Sequence, residues 1–195
     1  MTNEIQHIDG VSRRTVLKVS AASVGALGLV GSATASGQGV TSETEDVFGQ
    51  GPSGSVVAPD GATIKRTANG ISMQVSMPTP ESGEYQYPES GVYSGPGHPE
   101  AFSLWAFVFN DPAADNWDGA FFVAGHVVDG STLNLRGRVS TNTEPFAGER
   151  LDNPEGAEVH LAVAPHGELD PELMPEQIKT PTGPGPDIWW LALFE

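Results

Sequence analysis

The chain has 195 residues, no cysteine, and 25 Asp plus Glu against 9 Lys plus Arg, a net charge of -16. That length suits one domain beside a targeting segment, and the lack of thiols excludes disulfides, a lipid-attachment cysteine and thiol chemistry. The acid excess argues against nucleic acid as a partner, because a phosphate backbone calls for a basic patch.

The first segment reads as an address. Ser12-Arg13-Arg14-Thr15-Val16-Leu17-Lys18 resembles the twin-arginine translocation motif. The apolar stretch that follows, Val19 to Val30, is too short to cross a ~30 Å hydrocarbon core, which needs ~20 helical residues. Ala33-Thr34-Ala35 then forms an A-x-A cleavage pattern, so cleavage is expected after Ala35 and the mature chain is expected to begin at Ser36. These features predict residues 1–35 as a signal peptide, the twin-arginine translocase as the export partner, and a secreted, extracellular product. The apolar run Ile188 to Phe194 is likewise too short for a membrane anchor, so no membrane span is expected in the mature chain. Residues 36–195 keep 6 basic and 23 acidic residues, a net -17. Acidity spread along a chain with few lysines fits halophilic adaptation, since at 1 M salt the Debye length falls to roughly 3 Å and self-repulsion is screened.

Residues 36–54 are polar and are expected to form a flexible linker before a domain spanning 55–195. Ala62 to Thr67 is a weak strand pattern. Ile71 to Met77 alternates apolar and polar at every step, placing one face in a core and one in water. Phe102 to Phe109 and Phe121 to Val128 are apolar on both faces and suit central strands. Thr132 to Ser140 alternates again, with Leu133, Leu135 and Val139 inward and Asn134, Arg136 and Arg138 outward. Ala157 to Val163 points Val159, Leu161 and Val163 inward and Glu158 and His160 outward. Asp170 and Pro171 predict one short helix over Glu172 to Ile178. Ile188 to Phe194 closes the series as another doubly apolar strand. About seven strands and one short helix predict an all-β fold, with the signature of a β-sandwich or small barrel, and a β-sandwich of Ig-like or jelly-roll-like type is the expectation.

Three constellations carry chemistry. His126 and His160 lie on predicted strands and His166 in the turn Pro165-His166-Gly167. Convergence of the three imidazoles at a sheet end would make a zinc or copper site with one open position. Asn110-Asp111 through Asp115-Asn116-Trp117-Asp118-Gly119 concentrates oxygen donors. Asp111, Asp115 and Asp118 are its calcium candidates, although Ala114 and Gly125 stand where an EF-hand places its first and last ligands. Among Trp105, Trp117, Trp189 and Trp190, core packing is the expected use for most, and Trp117 in the acidic loop is the candidate for contact with a sugar. The chain has no G-x-S-x-G elbow and no phosphate-binding glycine loop, and no catalytic residue is assigned.

Phe102-Ser103-Leu104-Trp105-Ala106-Phe107-Val108-Phe109-Asn110-Asp111-Pro112, Ala124-Gly125-His126-Val127, Ala157-Glu158-Val159-His160-Leu161 and His166-Gly167 together resemble a family of uncharacterised secreted β-domain proteins of the halophilic archaeal type. The likeness covers roughly residues 100–170, and a more distant one is to chordin-type repeat domains. The resemblance implies a secreted β fold and brings no activity with it. The expectation is therefore a secreted acidic β-sandwich module of unknown ligand, non-catalytic, in a binding or structural role. The alternatives are a zinc- or copper-binding domain built on His126, His160 and His166, with or without catalysis, and a glycan-binding module.

Overall fold

A computed structural model of the protein describes residues 40–49, 54–80, 100–128, 130–172, 174–179 and 190–195. The twin-arginine segment with Arg13, Arg14, Ala35 and Ser36 lies outside the described residues, as does Trp189. Nine strands and one helical turn follow in chain order. They are β1 (Thr41–Phe48), β2 (Val56–Thr67), β3 (Gly70–Pro78), β4 (Glu100–Phe109), β5 (Gly119–Val128), β6 (Thr132–Ser140), β7 (Ala147–Gly148), β8 (Glu158–Glu168), α1 (Glu176–Lys179) and β9 (Trp190–Phe194).

The alternating strands form for the reason their pattern suggests. In β3, Ile71, Met73, Val75 and Met77 are buried, while Gln74 is exposed. In β6, Leu133, Leu135 and Val139 are buried, while Asn134, Arg136 and Arg138 are exposed. The inward residues of β1 to β6, β8 and β9 join in one apolar cluster that includes Ile64, Phe102, Leu104, Phe121, Leu161, Trp190 and Phe194.

The fold is all-β, but it is not a seven-stranded sandwich. The strands form a single antiparallel sheet in the order β6-β3-β2-β1-β9-β8-β4-β5-β7. The two halves are joined where Phe48 of β1 stands opposite Leu191 of β9. The sheet curls into a half-barrel that brings β5 and β6, far apart in strand order but consecutive in the chain, face to face. Gly137 of β6 makes that approach possible, since a β-carbon there would run into the Val123 carbonyl oxygen of β5. Period-two patterning predicts one dry face per strand in either architecture, which is why a curled sheet reads like a sandwich.

Three local expectations also change. Residues 41–48, expected within a linker, form β1 in the interior of the sheet, pairing with β2 from Thr41↔Arg66 to Phe48↔Val56. Its polar composition is tolerated because Val47 is the one fully buried residue and Glu43 has an ionic partner. The helical turn is shorter than expected, beginning after Pro175. Proline removes a donor and disfavours helix at the residue before it. Asp170 does not cap it, since it lies six residues before Glu176 and its side chain accepts the Glu172 N–H at 2.9 Å in a preceding turn. Finally, Pro165-His166-Gly167 is no turn. It lies within β8, where a register shift opposite Glu100 to Phe102 and Gly167 at φ 80° mark a bulge.

A buried cation ties the two halves together. Arg66 of β2 is 3% exposed on the inner face. Its Nε donates to Glu43 Oε1 at 2.6 Å, and Nη1 donates to the carbonyls of Ala157 at 2.6 Å and Pro154 at 3.3 Å, beside the start of β8. Replacing it leaves a half-buried carboxylate and two carbonyls without their donor. Arg66→Ala is expected to lower unfolding free energy by about 3–5 kcal/mol. Glu43→Gln, at a partly exposed partner, is expected to cost only about 1 kcal/mol. Urea denaturation measures both, and equal losses would contradict this account of Arg66.

Candidate functional site

The outer surface of the sheet differs between its halves. Over β9, β8, β4 and β5 it carries a second apolar cluster, Trp105, Ala162 and Ala164, against which Phe107, Phe122 and Leu191 pack. Polar residues of the sequence motifs are set into this cluster. Trp105 Nε1 donates to Ser103 Oγ at 2.7 Å, and Ser103 Oγ lies 2.6 Å from His166 Nε2. Alternation along β4 puts Ser103 and Trp105 on one face, and alternation along β8 puts His166 on the same face as Ala162 and Ala164, which pack with Trp105. The His166 carbonyl accepts from Gln177 of α1 at 3.1 Å, and Gln177 Oε1 accepts the Asp170 N–H at 3.0 Å. This chain of bonds fastens the helical turn to β8.

A serine beside a histidine invites comparison with a hydrolytic pair, and the geometry answers it. Ser103 is 0% exposed, so no substrate reaches its hydroxyl, and its oxygen already accepts the indole proton. Burial lowers the His166 pKa from 6.5 to about 4, keeping the ring neutral near pH 7. The arrangement is a satisfied buried network of the kind that orders side chains. Sequence reasoning missed it because the two residues are 63 positions apart.

The other histidines have separate surroundings. His160 Nε2 lies 2.7 Å from Glu158 Oε1, two residues away on the same strand, with its ring 4.7 Å from that of Phe109. His126 is exposed and stands opposite Phe102, whose side chain faces the main core. His160 and His166, six residues apart on one strand, are separated by about 20 Å at ~3.3 Å per residue. The expected convergence of His126, His160 and His166 on zinc or copper is therefore not found. Among the described residues, no group of three or more His, Asp or Glu side chains is placed to hold a metal ion.

The same holds for the calcium reading of the acidic loop. Asp111 Oδ1 accepts the Ala113 N–H at 2.9 Å, Asp118 Oδ2 accepts the Asn110 N–H at 2.7 Å, and Asp115 is exposed. These carboxylates shape a turn. Asn110 pins the neighbouring loop: its Nδ2 donates to the Arg150 carbonyl at 2.9 Å, and its Oδ1 accepts the Asp152 N–H at 3.0 Å. Leu151 is thereby held in the core. Of the tryptophans, Trp105 and Trp190 are buried, and Trp117 is half-buried with its ring 5.8 Å from Phe107.

One buried acid stands apart. Glu100, at the start of β4, is 6% exposed, and its Oε2 has no hydrogen-bond partner. Burial raises its pKa from 4.5 to about 7. The chain matches no protein-family model, no curated protein and no solved structure.

Glu100 and His166 bias stability in opposite directions. The folded chain holds the Glu100 proton between pH 4.5 and 7 while the unfolded chain releases it, so this group's contribution falls as pH rises through that window. His166 resists protonation when folded, so its contribution is present above pH 6.5 and is lost as pH falls toward 4. Glu100→Gln is therefore expected to gain stability relative to the parent as pH rises from 4.5 to 7. His166→Gln is expected to gain relative to the parent as pH falls from 6.5 to 4. Urea midpoints across pH 4–8 check this, and two difference curves of the same sign would refute it.

Proposed function

We propose that the mature chain is an exported, acidic, non-catalytic β module that acts outside the cell by presenting a surface. The observation that supports this most is the use of the motif residues. Ser103, Trp105, His166, Glu158, His160 and Asn110 all bond to neighbouring parts of the same domain. Groups that could have supplied a nucleophile, a base or a metal ligand are taken up in holding strands and loops in place. The twin-arginine pattern at Arg13 and Arg14 supports export in the folded state, and the A-x-A pattern supports cleavage before Ser36. The acidity of the mature chain supports a working environment rich in salt.

Four measurements test the reading. Ser103→Ala leaves the Trp105 N–H and a His166 nitrogen buried without a partner, at a cost of about 1–3 kcal/mol. An unchanged urea midpoint would remove the observation on which the framework role rests, and stoichiometric zinc or copper retained through dialysis of protein from its native host would overturn that role. The melting temperature is expected to rise from dilute buffer to molar KCl, and a flat profile would contradict adaptation to salt. Arg13→Lys with Arg14→Lys is expected to hold the protein inside the cell, with the parent appearing in the medium as a product beginning at Ser36. Equal secretion of both would refute the export route.

A further inference from the structure

Only six basic residues occur after residue 35: Lys65, Arg66, Arg136, Arg138, Arg150 and Lys179. Three of them are matched by acids: Arg66 by Glu43, Arg150 by Glu144, and Lys179 by Glu176 at 3.9 Å. The other three share one surface. The register across β2, β3 and β6 aligns Thr63, Gln74 and Arg136 in one rib, and Lys65, Ser72 and Arg138 in the next. All six point away from the core, since the residues between the two ribs, Ile64, Met73 and Gly137, stand in one register and face inward. Lys65, Gln74, Arg136 and Arg138 are exposed. No carboxylate stands on either rib, in a chain with nearly four acids per base after residue 35.

The surface is also built. Arg138 donates to Ser72 Oγ at 3.2 Å and to Thr67 Oγ1 at 3.0 Å, which lays its guanidinium along the ribs instead of leaving it extended into water. Arg136 and Arg138 lie about 6.6 Å apart along one strand, and Lys65 lies two strands from Arg138, about 10 Å away. Cations at these intervals sit among hydroxyl and amide groups, with no aromatic and no apolar side chain on either rib.

From this we infer that the outer face of β2, β3 and β6 binds a linear anionic polysaccharide. The guanidinium and ammonium groups would meet its sulfate or carboxylate substituents, and the serine, threonine and glutamine side chains its hydroxyls. Charge complementarity selects the anionic substituents, because this face offers cations while the chain as a whole repels anions. The polar remainder favours a hydroxyl-rich chain over the other polyanions. Single-stranded nucleic acid is held by aromatic stacking platforms, and protein partners by aromatic and aliphatic anchors, and the ribs carry neither. Arginine suits the role because its fork can bind sulfate or carboxylate through two hydrogen bonds, which persist at contact when salt screens longer-range attraction. This assignment rests on the reading of the chain as a surface-presenting module, and names the surface and ligand class.

The test uses the full-length mature protein and dextran sulfate, polygalacturonate and neutral dextran as probes, with titration calorimetry at about 0.15 M and about 1 M salt, where screening differs severalfold. Binding of at least one anionic polymer and none of neutral dextran is expected. Arg136→Gln with Arg138→Gln is expected to weaken that binding at least tenfold with the melting temperature retained. Arg150→Gln with Lys179→Gln changes net charge equally on other surfaces and is expected to leave affinity within twofold. Equal loss in both double variants, or no binding to either anionic polymer, would overturn the assignment. So would equal affinity for a single-stranded DNA oligonucleotide, which would mean that charge alone is read. Self-association by analytical ultracentrifugation that Arg136→Gln with Arg138→Gln abolishes would overturn it in favour of a second copy of this chain. Failure here leaves the Ser103, salt and secretion measurements untouched, so the two readings fail separately.

Discussion

A single dry interior shared by strands from both ends of the sheet is the constraint on which the rest of the structure depends. Eight strands each send one face into it, and among the described residues there is no second sheet to cover them, so the sheet curls until it covers itself. Curling to that degree brings β5 and β6 together without a ladder between them, and the approach is as close as a glycine allows at Gly137. Burial of this kind is non-directional and large in sum. The positions of turns, bulges and loops are adjusted to serve it. The bulge in β5 opposite Leu104 and Trp105 and the one in β8 beside Phe102 both fall where the sheet must bend.

Polar groups then decide which curled sheet is formed. Arg66 reaches across the interior to two carbonyls by the start of β8, and Asn110 holds the loop that carries Leu151 inward. Ser103 and His166 join β4 to β8 on the outer side, and Gln177 extends that link to α1. Each of these groups would be costly if left alone, so the arrangement that pairs all of them excludes near neighbours that pair only some. They also act at contact distance, where dissolved salt screens them little.

The outer surface shows the same economy from another side. Over the central strands it is apolar and is packed by Trp105 and its neighbours, while over β2, β3 and β6 it is polar throughout. An edge strand bearing two arginines resists pairing with other sheets, which protects β6 whatever else its surface does. That protection does not require Lys65, which lies two strands in, to share the same carboxylate-free region. Net charge and local charge have opposite signs here because the few cations are concentrated and the many acids are spread.

Much of this protein could be read before its coordinates. The alternation in Ile71 to Met77 and Thr132 to Ser140 assigned strands and inner faces correctly, because burial on one side of a pleat leaves a period of two in the residues themselves. Of the doubly apolar runs, Phe102 to Phe109 is a strand covered on both sides, by the main core and the Trp105 cluster, whereas the run from Phe121 is a strand that is only half-buried beyond its first residue. What the residues could not reveal was anything set by the meeting of distant segments. A strand with one dry face looks the same in a sandwich and in a curled sheet, and a polar strand such as β1 shows its role only beside Arg66. The histidines, close in kind, were separated onto different faces and ends by register. Three cations at positions 65, 136 and 138 became neighbours through the pairing of β2, β3 and β6. Local pattern records whether a side chain is buried; only tertiary pairing decides which other side chains it meets.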